Sequence, residues 1–144
     1  DEWIRRAADI AQASELVQAK PEGLQAEVTQ GGTNVSGGQR QRLAIARALA
    51  TDARAFLFDD SFSALDFKTD AKLRASLKEK MKGSTLIIVA QRINTIMDAD
   101  KIVVLDDGFI AGIGTHRELL QTCEVYKEIA SSQLSEEELR KGAC

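Results

Sequence analysis

Proline occurs once in these 144 residues, cysteine twice, and histidine, tryptophan and tyrosine once each. The two thiols, Cys123 and Cys144, belong to no CxxC pair and share the chain with a single histidine, His116. Neither a disulfide framework nor a zinc site is therefore supported, and a reducing compartment fits best. Aromatic residues make up only 5% of the chain, so any core is largely aliphatic. No apolar run approaches the roughly 20 residues that span a bilayer, and Asp1-Glu2-Trp3 has none of the parts of a signal peptide. A membrane role would have to come through another segment. Charge of one sign is lacking too: 19 basic and 22 acidic residues interleave to a net charge of −3. With no basic stripe to neutralise a phosphate backbone, nucleic acid is not an implied partner. What remains is an ordinary composition, long enough for one domain.

Along the chain, apolar residues at helical spacing from Trp3 to Ala19 predict one amphipathic helix, stopped by Lys20-Pro21-Glu22-Gly23. A loop leads to Ser36, which is placed to cap a helix over Gln39 to Ala50. Ala55 to Phe58 and Thr85 to Ala90 are unbroken apolar runs on either side of a helical Thr69 to Met81, the alternation of a parallel sheet buried on both faces. Lys101 to Leu105 reads as another strand, and Asp107-Gly108 turns it into a hairpin with Phe109 to Ile113. Thr115 to Glu118 and Ser135 to Glu138 are capping boxes, so the C-terminal stretch is helical. Residues 133–144 are charged and thinly apolar and are expected to pack loosely.

Three motifs carry chemistry. Ser36-Gly37-Gly38-Gln39 opens a helix, where hydroxyl, amide and backbone N–H donors and the positive end of the helix dipole suit an anion. Phe56-Leu57-Phe58-Asp59-Asp60 is an apolar strand ending in two carboxylates, and a carboxylate there can hold Mg²⁺ beside phosphate oxygens. Ser63-Ala64-Leu65-Asp66 follows. Taken singly, each has a plain structural alternative: a helix cap, or solvated carboxylates at a strand end. His116 reads as a first-turn residue with no catalytic role, and Trp3 and Tyr126 as packing residues.

Together these motifs resemble the ATP-binding-cassette (ABC) ATPases, with Ser36 to Gln39 as the signature motif, Phe56 to Asp59 as Walker B and Ser63 to Asp66 as the D-loop. The resemblance covers nearly the whole chain. It implies an α/β fold, part of a P-loop NTPase with a mostly parallel sheet, flanking helices and a piece of a helical subdomain. On that reading residues 1–50 are the helical, signature-bearing portion, 51–132 the later part of the RecA-like ATPase core, and 133–144 a charged tail. The Walker A loop, GxxxxGK[ST], occurs nowhere in these residues. The chain thus reads as the later part of a nucleotide-binding domain, inactive alone. The strand missing from the sheet's middle implies that the other half, a rearrangement or a second copy covers the gap.

The resemblance further implies ATP and Mg²⁺ as cofactors, Asp59 as the metal residue, Asp66 as the D-loop aspartate, and Ser36, Gly37, Gly38 and Gln39 as ligands of an ATP held by an opposing subunit. A second ABC subunit, as hetero- or homodimer, and the coupling helices of a transmembrane domain are the implied partners. The implied location is the cytoplasmic face of a membrane. Glu27 to Gly32 resembles the exporter X-loop, with Thr29 and Gln30 where Gly and Glu are usual. Two catalytic positions depart from the family: Asp60 stands where Glu is usual, and Gln91 where a histidine is expected. Asp60 is one methylene shorter and predicts a poor base, while Gln91 can hydrogen-bond but not titrate. An intact signature beside these two residues resembles the degenerate half of a heterodimeric ABC exporter. A non-transport ABC ATPase and a nucleotide-locked regulatory module are the alternatives.

Overall fold

Strands and helices alternate along the chain in the order its hydrophobic pattern implies. The computed structural model describes residues 2–51 and 53–143, so Cys144 lies outside the described residues. Two units are resolved, Asp1–Val89 and Ala90–Cys144. No helix among the described residues is long and apolar enough to cross a membrane.

In the first unit the order is α1 (Glu2–Ile10), α2 (Ser14–Gln18), two single 3₁₀ turns (Gly23–Gln25 and Gln30–Gly32), α3 (Gly37–Leu49), β1 (Ala55–Asp59), α4 (Phe67–Lys80) and β2 (Thr85–Val89). The single helix expected over Trp3 to Ala19 is two helices, because the chain breaks at Gln12, which takes a left-handed φ of 57°. Tertiary contacts enforce that break. Gln12 Nε2 donates to Asp9 O at 3.2 Å and to Ser76 Oγ at 3.1 Å, and Gln12 O accepts from Arg42 Nη1 at 2.6 Å. Ala11 and Ala13 on either side are fully buried, and their small side chains let the corner sit this close to its neighbours.

β1 and β2 pair in parallel, Ala55 opposite Thr85 through Asp59 opposite Val89. Phe56 and Phe58 point into a core shared with Ile45, Leu49, Leu73 and Leu77. The opposite face is open: Leu57 is 67% exposed, Ile87 52% and Val89 51%. The runs are apolar on both faces, as expected of strands inside a larger parallel sheet, but the described residues cover only one of them.

The second unit contains α5 (Ile93–Ile96), β3 (Ile102–Asp106), β4 (Phe109–Gly114), α6 (His116–Thr122), α7 (Glu124–Gln133) and α8 (Glu136–Ala143). β3 and β4 form the expected antiparallel hairpin, with an irregularity between Val104 and Leu105. Asp107 and Gly108 both have positive φ, 46° and 82°, the conformation that a two-residue hairpin turn requires. Ile102 and Val104 pack with Leu119, Tyr126 and Ala130, whereas Leu105, Phe109 and Ile110 are exposed. Both capping boxes are formed, Thr115 with Glu118 and Ser135 with Glu138. The C-terminal stretch is less loose than its composition suggests, because Leu134 is buried in this core and Leu139 packs against it.

His116 is buried at the start of α6, with Nδ1 2.7 Å from the Tyr126 hydroxyl and the rings edge to face. Burial holds the imidazole below its ordinary pKa, opposed by Asp98, and pushes the Tyr126 hydroxyl up to about 12. Tyr126 is a packing residue, 1% exposed. Trp3 is half exposed, its ring under the Arg6 guanidinium and its Nε1 donating to Ala50 O at 3.0 Å.

Candidate functional site

β1 delivers Asp59 to its C-terminal end, where open α/β sheets bind ligands. The chain then turns at Asp60 with a left-handed φ of 48°, a region that aspartate tolerates better than most residues. Asp60 N–H donates to Val89 O at 3.0 Å, and Asp60 O accepts from the Ser63 hydroxyl at 3.0 Å. Both carboxylates are exposed.

α3 begins at Ser36 in a reciprocal capping box. Ser36 Oγ accepts from Gln39 N–H at 3.2 Å, and Gln39 Oε1 accepts from Ser36 N–H at 2.9 Å. The Ser36 hydroxyl proton and the Gln39 amide nitrogen remain as donors with no partner among the described residues. The two glycines differ in what they are for. A Cβ on Gly38 would lie 3.0 Å from Ala64 O, a tight approach to which that backbone would have to yield; a Cβ on Gly37 would meet Ala64 Cβ at an ordinary 3.7 Å. The chain's own packing therefore does not demand glycine at 37, and the residue is exposed.

Asp66 caps α4. Its Oδ1 accepts from Thr69 N–H at 3.0 Å and its Oδ2 from the Thr69 hydroxyl at 2.7 Å. Those bonds, the backbone one first, hold its carboxyl below the ordinary range. Upstream, the segment resembling an X-loop is tied to α3, since Arg40 Nη1 donates to Gly31 O at 2.8 Å. Asn34 Nδ2 braces the same segment through Glu27 O at 2.9 Å. Gln91 lies in the second unit, exposed just after β2. Gln133 holds its backbone, with Nε2 donating to Gln91 O and Oε1 accepting from Ile93 N–H, both at 2.9 Å.

The first unit thus carries Ser36, Gly37, Gly38, Gln39, Asp59, Asp60 and Asp66, and the second carries Gln91. One residue in this arrangement has no sequence signal: Gln41 of α3, whose amide reaches the segment after Asp60 across 19 to 23 positions of chain. Among the described residues no three His, Cys, Asp or Glu side chains cluster as a metal site.

The donor set fits a nucleotide phosphate. N–H and O–H donors gather at a helix N-terminus with an exposed glycine, and hard carboxylate oxygens, a type of ligand that Mg²⁺ accepts, stand at a strand end.

The ABC transporter family model matches residues 4–63. A Mycobacterium bovis protein named an uncharacterised ABC transporter ATP-binding protein is 51% identical over 127 residues, 88% of this chain and 22% of that protein. An ATP-dependent lipid A-core flippase of Pseudomonas aeruginosa is 44% identical over 136 residues, 94% of this chain and 23% of that one. The chain therefore spans less than a quarter of these relatives' length. Among solved structures, a bacterial Atm1-family ABC exporter with ATP bound superposes with a TM-score of 0.88 at 36% identity, over 94% of this chain and 24% of the exporter. Fold and sequence agree, and the chain belongs to the ABC transporter family, as part of its P-loop NTPase ATP-binding domain.

Proposed function

We propose that these residues are the later portion of the ATP-binding domain of an ABC exporter subunit, in which ATP binding and hydrolysis drive transmembrane export. The observation that carries the reading is the N-terminus of α3, where Ser36 O–H, Gln39 Nε2 and the backbone beside the open Gly37 present donors together. In a dimer of such domains these donors hold the γ-phosphate of an ATP bound on the opposing subunit. Asp59 holds Mg²⁺ for the subunit's own nucleotide. Bound Mg²⁺ neutralises phosphate charge, and Asp60 orients the attacking water.

Asp60 and Gln91 make this the weaker of two sites. The shorter carboxylate falls about 1 Å or more short, a displacement that can cost ~10²-fold in rate, and Gln91 offers an amide that cannot exchange a proton. The signature remains intact, so the subunit contributes chiefly by completing its partner's site. Its attachment is to a transmembrane domain at the cytoplasmic face of the membrane, through the segment around Glu27 to Gly32 that Arg40 and Asn34 brace. Residues 1–50 serve as the helical portion and 51–132 as part of the core. The open apolar faces of β1–β2 and β3–β4 are covered by the rest of the domain.

The test is steady-state ATP turnover of the parent subunit, purified alone and then assembled with its partner. Low turnover alone, high turnover assembled, and loss of assembled turnover in Ser36→Arg are expected. Robust turnover alone would make Asp60 a sufficient base. Unchanged turnover in Ser36→Arg would remove the signature assignment, and nucleotide binding without turnover in the assembly would leave a nucleotide-locked regulatory module.

A further inference from the structure

Gln41 sits on the fifth residue of α3, one turn inside the helix whose first turn is Gly37-Gly38-Gln39. Its side-chain amide makes three hydrogen bonds to one short segment. Oε1 accepts from Ala64 N–H at 2.9 Å, and Nε2 donates to Ser63 Oγ at 3.0 Å and to Asp60 O at 3.3 Å. The partners fix the amide's orientation, because Ala64 N–H can only donate and Asp60 O can only accept, so a flipped amide would lose both bonds. Close packing adds to this: Gly38 lies so near Ala64 O that an added Cβ would sit at 3.0 Å. Residues 60–64 are therefore tied to the first turns of α3 by hydrogen bonds and by contact.

The helix itself is anchored on other sides. Arg42 Nη1 donates to Gln12 O at 2.6 Å, Gln12 Nε2 reaches Ser76 Oγ on α4 at 3.1 Å, and Arg40 Nη1 donates to Gly31 O at 2.8 Å. Asp60 turns with a left-handed φ of 48°, and its N–H to Val89 O and its carbonyl, shared by Gln41 Nε2 and the Ser63 hydroxyl, are the bonds that hold the turn.

We infer that Gln41 is a positioning residue that ties the signature helix to Asp60 and the Ser63–Ala64 loop within one subunit. This rests on the reading above, in which Ser36 to Gln39 face a partner's nucleotide and Asp60 faces the subunit's own. Gln41 then joins elements of two different ATP sites, so that a shift at one phosphate is transmitted to the other through a single side-chain amide. It touches no nucleotide itself and acts through the backbone it holds.

The experiment is a double-substitution cycle in the parent subunit assembled with its partner, reading ATP turnover and melting temperature. Gln41→Ala suits the helix and is expected to lower kcat about tenfold, with KM within about twofold and little change in melting temperature. Ser63→Ala is expected to have a smaller effect, and the double variant to fall short of the sum of the two losses, because the Gln41–Ser63 bond is shared while Ser63 also donates to Asp60 O by itself. Gln41→Glu keeps the oxygen that accepts Ala64 N–H but lacks the donor to Asp60 O. It is expected to fall between wild type and alanine, and it replaces Gln41→Ala if that variant does not assemble. Strictly additive losses, or losses that follow the fall in melting temperature, would overturn the inference. Ser36→Arg separates the two levels: if it abolishes turnover while the Gln41 variants match wild type, the tether fails and the signature reading stands; if it has no effect, the signature reading fails.

Discussion

The two units use their polar side chains differently. In the first, side-chain amides and guanidinium groups bridge distant parts of the chain: Gln41 to Asp60, Ser63 and Ala64; Arg42 to Gln12; Gln12 to Ser76. In the second, one amide does so, Gln133 to Gln91 and Ile93, and beside it the two capping boxes are local, three residues apart, around an apolar core that encloses the His116–Tyr126 pair. Long-range polar bonds specify position, because each is lost when its partner shifts by a fraction of an ångström. Local caps and buried apolar area stabilise without aiming anything. Placement by long-range bonds predominates in the first unit, whereas in the second it is confined to Gln133 and the rest is support.

Three substitutions would break or sharpen that contrast. The largest effect is expected from Tyr126→Ala, which removes a ring that is 1% exposed. It should cost about 3–5 kcal/mol, by analogy with other large-to-small aromatic truncations. Denaturant unfolding of the parent domain checks the cost, and turnover per folded molecule should stay near wild type; a matching loss of turnover would give the second unit a role in placement. Next is Asp60→Glu in the first unit, which restores the missing methylene. Turnover at the subunit's own site should rise by about 10- to 10²-fold, with stability lowered by about 1 kcal/mol because glutamate tolerates the left-handed φ less well than aspartate, as read in an assembly whose partner site is inactivated. No gain would mean that the left-handed turn at Asp60, rather than the side chain's length, limits the chemistry.

The smallest effect is pH dependence in the second unit. The folded state holds His116 below its ordinary pKa, so the unfolded chain takes up that proton first as pH falls. The contribution of the neutral imidazole is complete above about 6.5, the ordinary histidine value, and is lost as pH drops toward the depressed folded value. Melting temperature measured from pH 7.5 to 5.5 should fall more steeply for wild type than for His116→Gln. Equal slopes would locate the acid sensitivity in carboxylates instead.

Features governed by short sequence offsets were legible in the chain itself. Ser36 caps α3, Thr115 and Ser135 cap their helices with glutamates three residues on, and Asp107-Gly108 makes the hairpin turn. Each is settled by atoms a few bonds apart. The break at Gln12 was not legible, because the periodicity runs through it and only contacts with Arg42 and Ser76 impose the turn. Asp66 stands in a motif that the sequence marks, but its engagement with Thr69 rests on where α4 begins. Gln41 lies in a run that reads as helix surface, and its partners are set by a loop 19 to 23 residues away. His116 resembled a simple first-turn residue, and only the packing of α7 reveals its buried bond to Tyr126.

The paired strands β1 and β2 carry one more consequence, for handling. A two-stranded parallel sheet leaves both outer rows of backbone N–H and C=O groups unladdered, and here the open side also shows Leu57, Ile87 and Val89. Such an edge is a template on which another extended chain can add, with no charge or proline in β1 or β2 before Asp59 to discourage it. With that edge uncovered, the chain would be governed by concentration more than by temperature: clear when dilute, and prone to growing strand-on-strand aggregates when crowded.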